Sequence, residues 1–575
     1  MKKQITLLIA LCIAILTTNN SFAQLVTSGA DDGTDGTLRN EIADTPAGGI
    51  ILFAPSVTVV KLNSELLLDK SLTISGTFGS NVVIDADEKG RAFNIISGPV
   101  VLNSLTLMNG LAPNGGAIYI TNALVTVNSC LINANTANAP PTPGPAGSGG
   151  GIFNDVGGIL VASNTEISSN IANRAGGGIE DKSGTGLSIT LLNVNLMNNH
   201  AGISPASAAP GNGGALHVSG NGSVYMFGGK TTGNLAANEG GGLWNGSGLM
   251  TVIDHTVDGN TASGNDDMVA GAAGGGGIYN EGGMLDLSGS TAITNNSATG
   301  AQSTGGGILN SVGTLTANGI TIKDNTSNRA GGGIETNGGG AVTLTNVRLN
   351  SNDTGVVPGD GAPGNGGGLH VSGNSAVTVT GGKTNNNTAA NEGGGLWNGT
   401  GLMTVSNHTI SGNIAAGSDA TVAGAAGGGG IYNEGGMLNL SGSTMITNNS
   451  ATGAQSTGGG ILNSVGTLTA NGITIRDNTS NRAGGGIETN GGGAVTLTNV
   501  RLNSNDTGVV TGDGAPGNGG GLHVSGNSTV NLSGGTTNNN TAANEGGGLW
   551  NGSGLLTVVD HTVNGNTASG NDAMV

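Results

Sequence analysis

Short apolar alternations recur along the whole chain, as in TLTANGITI from Thr314 and AVTLTNVRL from Ala341, each bounded by Gly and Asn. Alternation with period two predicts half-buried strands, and the Gly and Asn clusters between them predict turns. The alternations fall into a repeating unit: a Gly-rich turn with a first strand such as GGGILN, then GTLTANG, then ITIKDN, then a polar loop of variable length. The apolar anchor after each Gly run is Ile118, Ile152, Ile179, Leu216, Leu243, Ile278, Ile308, Ile334, Leu369, Leu396, Ile431, Ile461, Ile487, Leu522 and Leu549. Five successive units span 153 residues, the spacing that also separates Trp244, Trp397 and Trp550, and the APGNGG segments that begin at Ala209, Ala362 and Ala515. A block is duplicated without harm where neighbours are equivalent along an axis, as in a solenoid.

Three short strands per unit, none able to bury both faces alone, predict an all-β parallel β-helix with one unit per coil. Its hand is right-handed by the usual rule for parallel crossovers. Hairpins fit less well, because one turn is a short Gly run and another absorbs all the length variation. At about 4.8 Å per strand, fifteen coils make a rod on the order of 70 Å, with a few coils more at the N-terminal end. The expected organisation is a secretory signal at 1–23, a cap and first strand at 24–60, and the β-helix at 61–575 in blocks of five coils.

Alternation also assigns faces. With Ile308 inward, Leu309 points outward and Asn310 points in or caps the turn, and Asn holds the same third place at Asn154, Asn245, Asn280, Asn398, Asn433, Asn463 and Asn551. Stacked Asn side chains can hydrogen-bond from coil to coil and fix the register. The outward place carries Tyr119, Phe153, Glu180, His217, Trp244, Tyr279 and Leu309, then Glu335, His370, Trp397, Tyr432 and Leu462, then Glu488, His523 and Trp550. Aromatic residues make up 2 % of the chain, yet all three Trp fall here. Stacking would place His217, Trp244 and Tyr279 in a stripe, repeated at His370, Trp397 and Tyr432 and at His523 and Trp550. Such a stripe offers platforms for sugar rings or for a partner's apolar surface. The alternative is that covering loops bury it as satellite packing.

The first residues, MKKQITLLIALCIAILTTNNSFAQ, have the charged start, apolar run and small residues of an exported protein's leader, with cleavage before Gln24. Cys12 lies inside that run, so only Cys130 remains afterwards and no intrachain disulfide can form. Beyond the leader no apolar stretch approaches the roughly 20 residues of a spanning helix. Leu38 and Ile42 are spaced for one short amphipathic helical turn that would seal the first coil. At the other end, Asn571 to Val575 repeat the residues that precede a further coil two blocks earlier, so anchoring or sorting sequence is expected to follow.

Composition narrows the function classes. Gly supplies 114 of 575 residues, and with 13 Pro and no strict three-residue period the chain is not collagen. A formal charge of -18 argues against nucleic acid and anionic membranes as partners. The Gly runs precede no GxxxxGKS/T motif and no helical pattern, so they read as corners rather than a phosphate cradle.

The recurring GGGI or GGAI followed by an Asn-ended strand, as in GGGIFN then NTEISSN, resembles the repeats of chlamydial polymorphic outer-membrane proteins and related bacterial surface proteins of the pectin-lyase-like fold. TLRNEI with the following ILF is similar to the CSLREAI-type segment that opens such surface β-helices, departing from it at Gly36-Thr37 and Asn40. The resemblance implies a secreted or outer-membrane-associated protein at the cell surface. The same coil serves adhesins, passenger domains and polysaccharide-cleaving enzymes.

Candidate chemistry in the residues is sparse. His217, His370 and His523 are five coils apart, on the order of 24 Å, as are His255, His408 and His561, so each would need its own local ligands to hold a metal. No carboxylate partner is evident at the matching position, and exposed or turn-packed His is expected. Arg174, Arg329 and Arg482 accompany Glu180, Glu335 and Glu488 in near-identical triplicate, whereas a catalytic site is normally unique. Asp181, Asp266 and Asp267 read as solvated loop acids. Asp85, Asp87 and Glu88 in the unrepeated coils could bind Ca²⁺; no other cofactor is indicated. Thr314 with Thr316 and Thr343 with Thr345 have the spacing that ice-binding solenoids use, but Ala, Asn and Ser interrupt the pattern. Asn-x-Ser/Thr sites, as at Asn245, are glycan acceptors in a host with the machinery. The reading favoured is an adhesin or structural surface protein with surface glycans or cell-surface proteins as partners. A polysaccharide lyase or glycoside hydrolase of the same fold is the alternative.

Overall fold

A computed structural model describes residues 23–570 apart from 77–80, 139–146, 185, 203–210, 265–273, 356–363, 418–426 and 509–516. The expected leader, apart from Ala23, and the acids Asp266 and Asp267 lie outside the described residues.

The chain winds as a right-handed parallel β-helix. One coil, typical of the rest, runs Ile308–Asn310, Thr314–Asn318, Thr321–Lys323 and Thr326–Ser327 before the next Gly run. Each strand pairs in parallel with its equivalent one coil on: Ile308 with Ile334, Leu315 with Val342, Ile322 with Leu349, and Thr326 with Asp353. The first strands of the coils pair in sequence order from Leu66–Leu68 to Leu549–Asn551, adding two coils before Ile118 to the fifteen legible in the sequence. Seventeen rungs at about 4.8 Å give a rod of roughly 75 Å. Inward Ile, Leu and Val from every rung merge into one continuous apolar core.

The corners follow from backbone sterics. In Gly305-Gly306-Gly307 the first residue has φ +64°, in the left-handed region that favours glycine. A Cβ on Gly306 would lie 2.3 Å from the Thr326 carbonyl oxygen and 2.5 Å from that of Gly332, one coil on. The second residue is therefore glycine for want of room, not for its torsion. The third place admits more: Ala117 and Ala215 occupy it elsewhere. At the opposite corner a left-handed Asp324 (φ +55°) turns the chain into Asn325, and Asn or Asp is the non-glycine type most at ease there.

Asn325, the last residue of ITIKDN, belongs to a ladder that the alternation of faces did not assign. Its backbone N–H and its amide both donate to the Oδ1 of Asn352, at 3.1 and 2.9 Å, while the same amide donates to the Ile293 carbonyl at 2.9 Å. The pattern runs unbroken from Asn135 through Asn170 and Asn199 to Asn540 and Asn566. A second, shorter ladder is the one expected from the third strand place. Asn245 donates to Asn280 at 2.8 Å and Asn280 to Asn310 at 2.7 Å, all three fully buried, before Thr336 takes over.

At the N-terminal end, helix α1 (Leu38–Asp44) lays Leu38 and Ile42 onto the core. Thr37 caps it by accepting from the Asn40 N–H, and Glu41 Oε1 accepts from the Gly36 N–H at 3.0 Å. Arg39 grips Asp31 with two hydrogen bonds of 2.8 and 2.7 Å, and Asp31 also accepts from the Asn63 N–H, which ties the helix to the first coil.

Two substitutions separate the roles of the corner glycines. Gly306→Ala is expected to lower the melting temperature sharply, since backbone on two coils must shift, whereas Gly307→Ala, whose Cβ would meet the single Gly333 carbonyl oxygen at 2.6 Å, is expected to lower it less, as Ala at the same place in Ala117 and Ala215 indicates. Equal effects in thermal circular dichroism would contradict this account. Asn352→Ala strips partners from a buried backbone N–H and amide on one side and a carbonyl on the other, and is expected to cost about 2–4 kcal/mol in denaturant titration.

Candidate functional site

The outward residues after each anchor stand one above another in register: Phe153, Glu180, His217, Trp244, Tyr279, Leu309, Glu335 and onward. Pointing outward does not expose them. Trp244 is 7 % and Tyr279 8 % accessible, Trp397 and Tyr432 match them, and His217, His370 and His523 are buried as well. Glycine explains how they lie so close to the rod. A Cβ on Gly213 would sit 2.7 Å from His217 Cβ, and one on Gly246 would sit 3.0 Å from Trp244 Cζ3, so bare backbone closes over the column from either side.

The rings also cover each other. His217 stacks on Trp244 at 4.2 Å between centroids and Tyr279 leans over its other face at 5.9 Å. His370, Trp397 and Tyr432 repeat this at 4.1 and 5.9 Å, and His523 stacks on Trp550 at 4.2 Å. Trp550, on the last described rung, is partly exposed. The stripe therefore presents ring edges along most of its length, not the open faces on which a sugar stacks.

Polar groups lock the column. Glu180 Oε2 lies 2.8 Å from His217 Nδ1, and Ser219 Oγ donates to Glu180 Oε1 at 2.5 Å. Glu335 with His370 and Ser372, at 2.6 and 2.7 Å, and Glu488 with His523 and Ser525, at 2.5 and 2.8 Å, are copies. These contacts overturn the expectation that the His residues lack a carboxylate partner at the matching position. The signal was present: Glu precedes His at the same place one unit earlier, although 35 to 37 residues away in sequence. The Trp indole N–H groups donate to Glu239, Glu392 and Glu545 at 3.3, 3.5 and 2.9 Å. Burial pushes Glu392 up to about 7, with Glu434 adding to the rise and the Trp397 hydrogen bond opposing it.

The second His set is turn-packed. His255 Nδ1 meets the Gly228 carbonyl at 2.7 Å, so it carries the proton, and Nε2 accepts from Thr231 at 2.9 Å. His408 and His561 repeat the pair of contacts. Burial pushes His255 down to about 4 and lowers His408 also. Among the described residues no three or more His, Cys, Asp or Glu side chains come together as a metal would need. Of the early acids, Asp87 is held by Lys61 and Lys89 at 2.8 and 2.9 Å, and Asp85 accepts from Asn109. Asp181 is not a solvated loop acid: it is fully buried, accepts from Ser188 and Asn154, and burial raises its carboxyl. Asn245 is fully buried in its ladder, out of reach of glycosylation in the folded chain. Cys130 is buried and its thiol is pushed up to about 11, which leaves it unreactive.

One cavity beside the column is lined in part by unrepeated residues. A cleft of about 240 Å³ is lined by Asn114, Phe153, Asp155, Arg174, Glu180, Lys182 and Ser219. At the equivalent positions of the next block stand Gly274, Leu309, Ser311, Arg329, Glu335, Asn337 and Ser372, so four of its seven residues occur only here. Asp155 accepts from the Tyr119 hydroxyl and, at 2.9 Å, from the Val156 N–H. Both carboxylates of the cleft are thus already engaged by the protein. Among the described residues no helix is long and apolar enough to cross a membrane. No protein-family model matches the chain, and no curated protein matches it.

Trp397→Ala is expected to cost about 3 kcal/mol or more by opening the column, with β-sheet dichroism retained below the melting point. The neutral burial of His255 also sets a pH dependence. Its unfolded value near 6.5 lies above the folded one, so the stability it contributes is complete above pH 6.5 and is lost as pH falls towards 4. Against His255→Gln, the native chain is expected to lose up to about 3 kcal/mol more over that interval. A difference that does not change with pH would contradict it. Glu392 acts in the opposite sense, favouring the folded state at low pH, which is why the comparison is made against the single variant.

Proposed function

We propose that the chain is an exported cell-surface β-helix, an adhesin or structural surface protein that works by extended multivalent contact with surface glycans or cell-surface proteins. The leader-like residues 1–23 support export, and the likeness of the repeats to polymorphic outer-membrane proteins supports a surface location. The observation that carries the reading is repetition in register: whatever the Glu, His and Trp groups and their surroundings present, the rod presents again five coils later. Weak contacts at matched spacing gain by effective concentration what each lacks in affinity. An active centre gains nothing from being tripled along a rod.

The alternative, cleavage of a polysaccharide, draws on the single-copy cleft with Asp155 and Glu180. One experiment addresses both. Removal of residues 270–422 deletes one whole block of 153 residues and leaves the coil sequence continuous. The shortened chain is expected to fold and to bind glycan or cell-surface arrays at least about tenfold more weakly, as loss of avidity requires. Undiminished binding would overturn multivalency, and new reducing or unsaturated ends in the polysaccharide would establish catalysis instead.

A further inference from the structure

We infer that the corner between the first and second strands is a docking edge for a protein segment that carries aliphatic side chains beside Lys or Arg. This rests on the multivalent reading above and names the surface and the partner chemistry that such contact needs.

The aromatic column is covered, so contacts that recur along the rod must come from residues that both repeat and stand exposed. Val156, Val312 and Val465 do so. Each lies four residues after its anchor, Ile152, Ile308 or Ile461, and each is 60 % accessible. Diagonally below Val312 stands Met284, in register with Leu249 one coil further down, and Met437 with Leu402 repeats this below Val465. The two Met are 51 and 52 % accessible. In the first block Ile159, in register with Leu124, accompanies Val156. Between the second and third clusters the same column reads Thr314, Ala341 and Ala376. The apolar surface is thus gathered at three places five coils apart, on the order of 24 Å.

Glycine holds each Val out from the rod. The Val312 N–H donates to the Glu281 carbonyl at 2.9 Å, which seats Val312 beside Gly282, with Gly338 on its other side. A Cβ on Gly282 would lie 3.6 Å from Val312 Cγ2, and one on Gly338 2.5 Å from Cγ1. Because both flanks are bare backbone, the side chain forms a ridge. Gly282 and Gly338 hold its place in the adjoining coils, so the coil itself does not need Val there. An exposed aliphatic group repeated along one edge, each time with two more beside it, marks a contact surface.

Charge selects what docks there. Glu281 and Glu434, both exposed, precede the flanking glycines, and Asp155 precedes Val156. No Lys or Arg occurs within 154–163, 280–288, 310–318, 433–441 or 463–471. The first block brings its carboxylate from a different place: Thr121 stands where Glu281 does, and Asp155 where Ser311 does. Copying a block preserves positions, so aliphatic groups with an acid beside them have arisen here from two different sets of residues. A second copy that met this edge with its own would set carboxylate against carboxylate, and an anionic membrane would do the same. A purely apolar partner would strip water from Glu281 and Glu434 without replacing it. A segment with Leu, Ile, Val or Met next to Lys or Arg matches both parts of each cluster.

The test is calorimetry on the whole chain with a short blocked peptide that alternates Leu with Lys. Peptides alternating Ser with Lys, or Leu with Glu, are the comparisons. The Leu and Lys peptide is expected to find three sites, and each comparison peptide to bind at least about tenfold more weakly. The triple variant Val156→Ser, Val312→Ser, Val465→Ser is expected to lose at least about tenfold in affinity, and to melt as the native chain does, since these side chains are exposed. Glu281→Gln with Glu434→Gln is expected to weaken binding severalfold and to flatten its dependence on salt. Equal binding of either comparison peptide, or an unaltered triple variant, would overturn the assignment. Self-association of the native chain that the triple variant abolishes, seen by sedimentation, would give the edge to a second copy and overturn it likewise. Removal of 270–422 joins Leu249 to Met437 and Val465 and leaves two clusters, so the short peptide is expected to find two sites at unchanged affinity per site. That count holds whether or not a long partner loses avidity, which keeps failure of this inference distinguishable from failure of the multivalent reading.

Discussion

Parallel stacking places every residue about 4.8 Å from its equivalent in the next coil, and nearly everything else in this molecule follows from that spacing. A side chain in such a rod must tolerate a near-copy of itself above and below. Apolar residues do so by packing. Asn does so because one amide is donor and acceptor at once, so a row of identical side chains forms a continuous hydrogen-bonded ladder without an orphan inside it. Glycine does so where two backbones come too close for any Cβ. Like charges do not, since a row of carboxylates at this distance repels itself. A charged fraction of only 9 % is the compositional result. Where a buried carboxylate does enter the outward column, the next coil answers it: Glu180, Glu335 and Glu488 each lie directly beneath a His.

This rule also explains what the sequence disclosed and what it concealed. The anchors, the three strands per coil and the Asn at the third strand place were legible because each recurs at a fixed offset from a Gly run. The longer ladder from Asn135 to Asn566 recurs almost as regularly, 17 to 20 residues after each anchor, yet nothing in ITIKDN says that its last Asn turns inward to its copies and not outward into the loop. Its local mark was nonetheless there, a residue in left-handed conformation immediately before the Asn, which is Gly, Asn, Asp or Ser everywhere but at Ala134, as at Asp324 and Asn325. The helix on Leu38 and Ile42 was read from spacing alone, while its grip through Asp31 and Arg39 joins residues whose partnership no local pattern signals.

The outward stripe shows the limit of alternation as a guide to accessibility. Period two states which way a side chain leaves its sheet, and Trp244 and Tyr279 do leave it outward. Accessibility depends further on what lies over the sheet, and there the glycine corners matter twice. By lacking side chains they let one coil pass close to the next, and by the same lack they let an indole lie flat beside backbone that would otherwise hold it away. A feature that reads as a binding platform in sequence becomes a second, peripheral spine in three dimensions, with its own stacking and its own hydrogen bonds from Trp to Glu.

Duplication then decides where singular chemistry can reside. GAAGGGGIYNEGGM occurs identically at 271 and 424, so the second and third blocks have been held to one pattern or copied late. The first block departs from that pattern at Asn114, Phe153, Asp155 and Lys182, where the later blocks carry Gly274, Leu309, Ser311 and Asn337. None of these four changes is needed by the coil, because the later residues build the same rungs in the same register. Arg174, Glu180 and Ser219, by contrast, keep their types in every block. The cleft thus consists of shared structural residues completed by four that the fold does not require, so singular chemistry in this rod has room only where the first block departs from the repeated pattern.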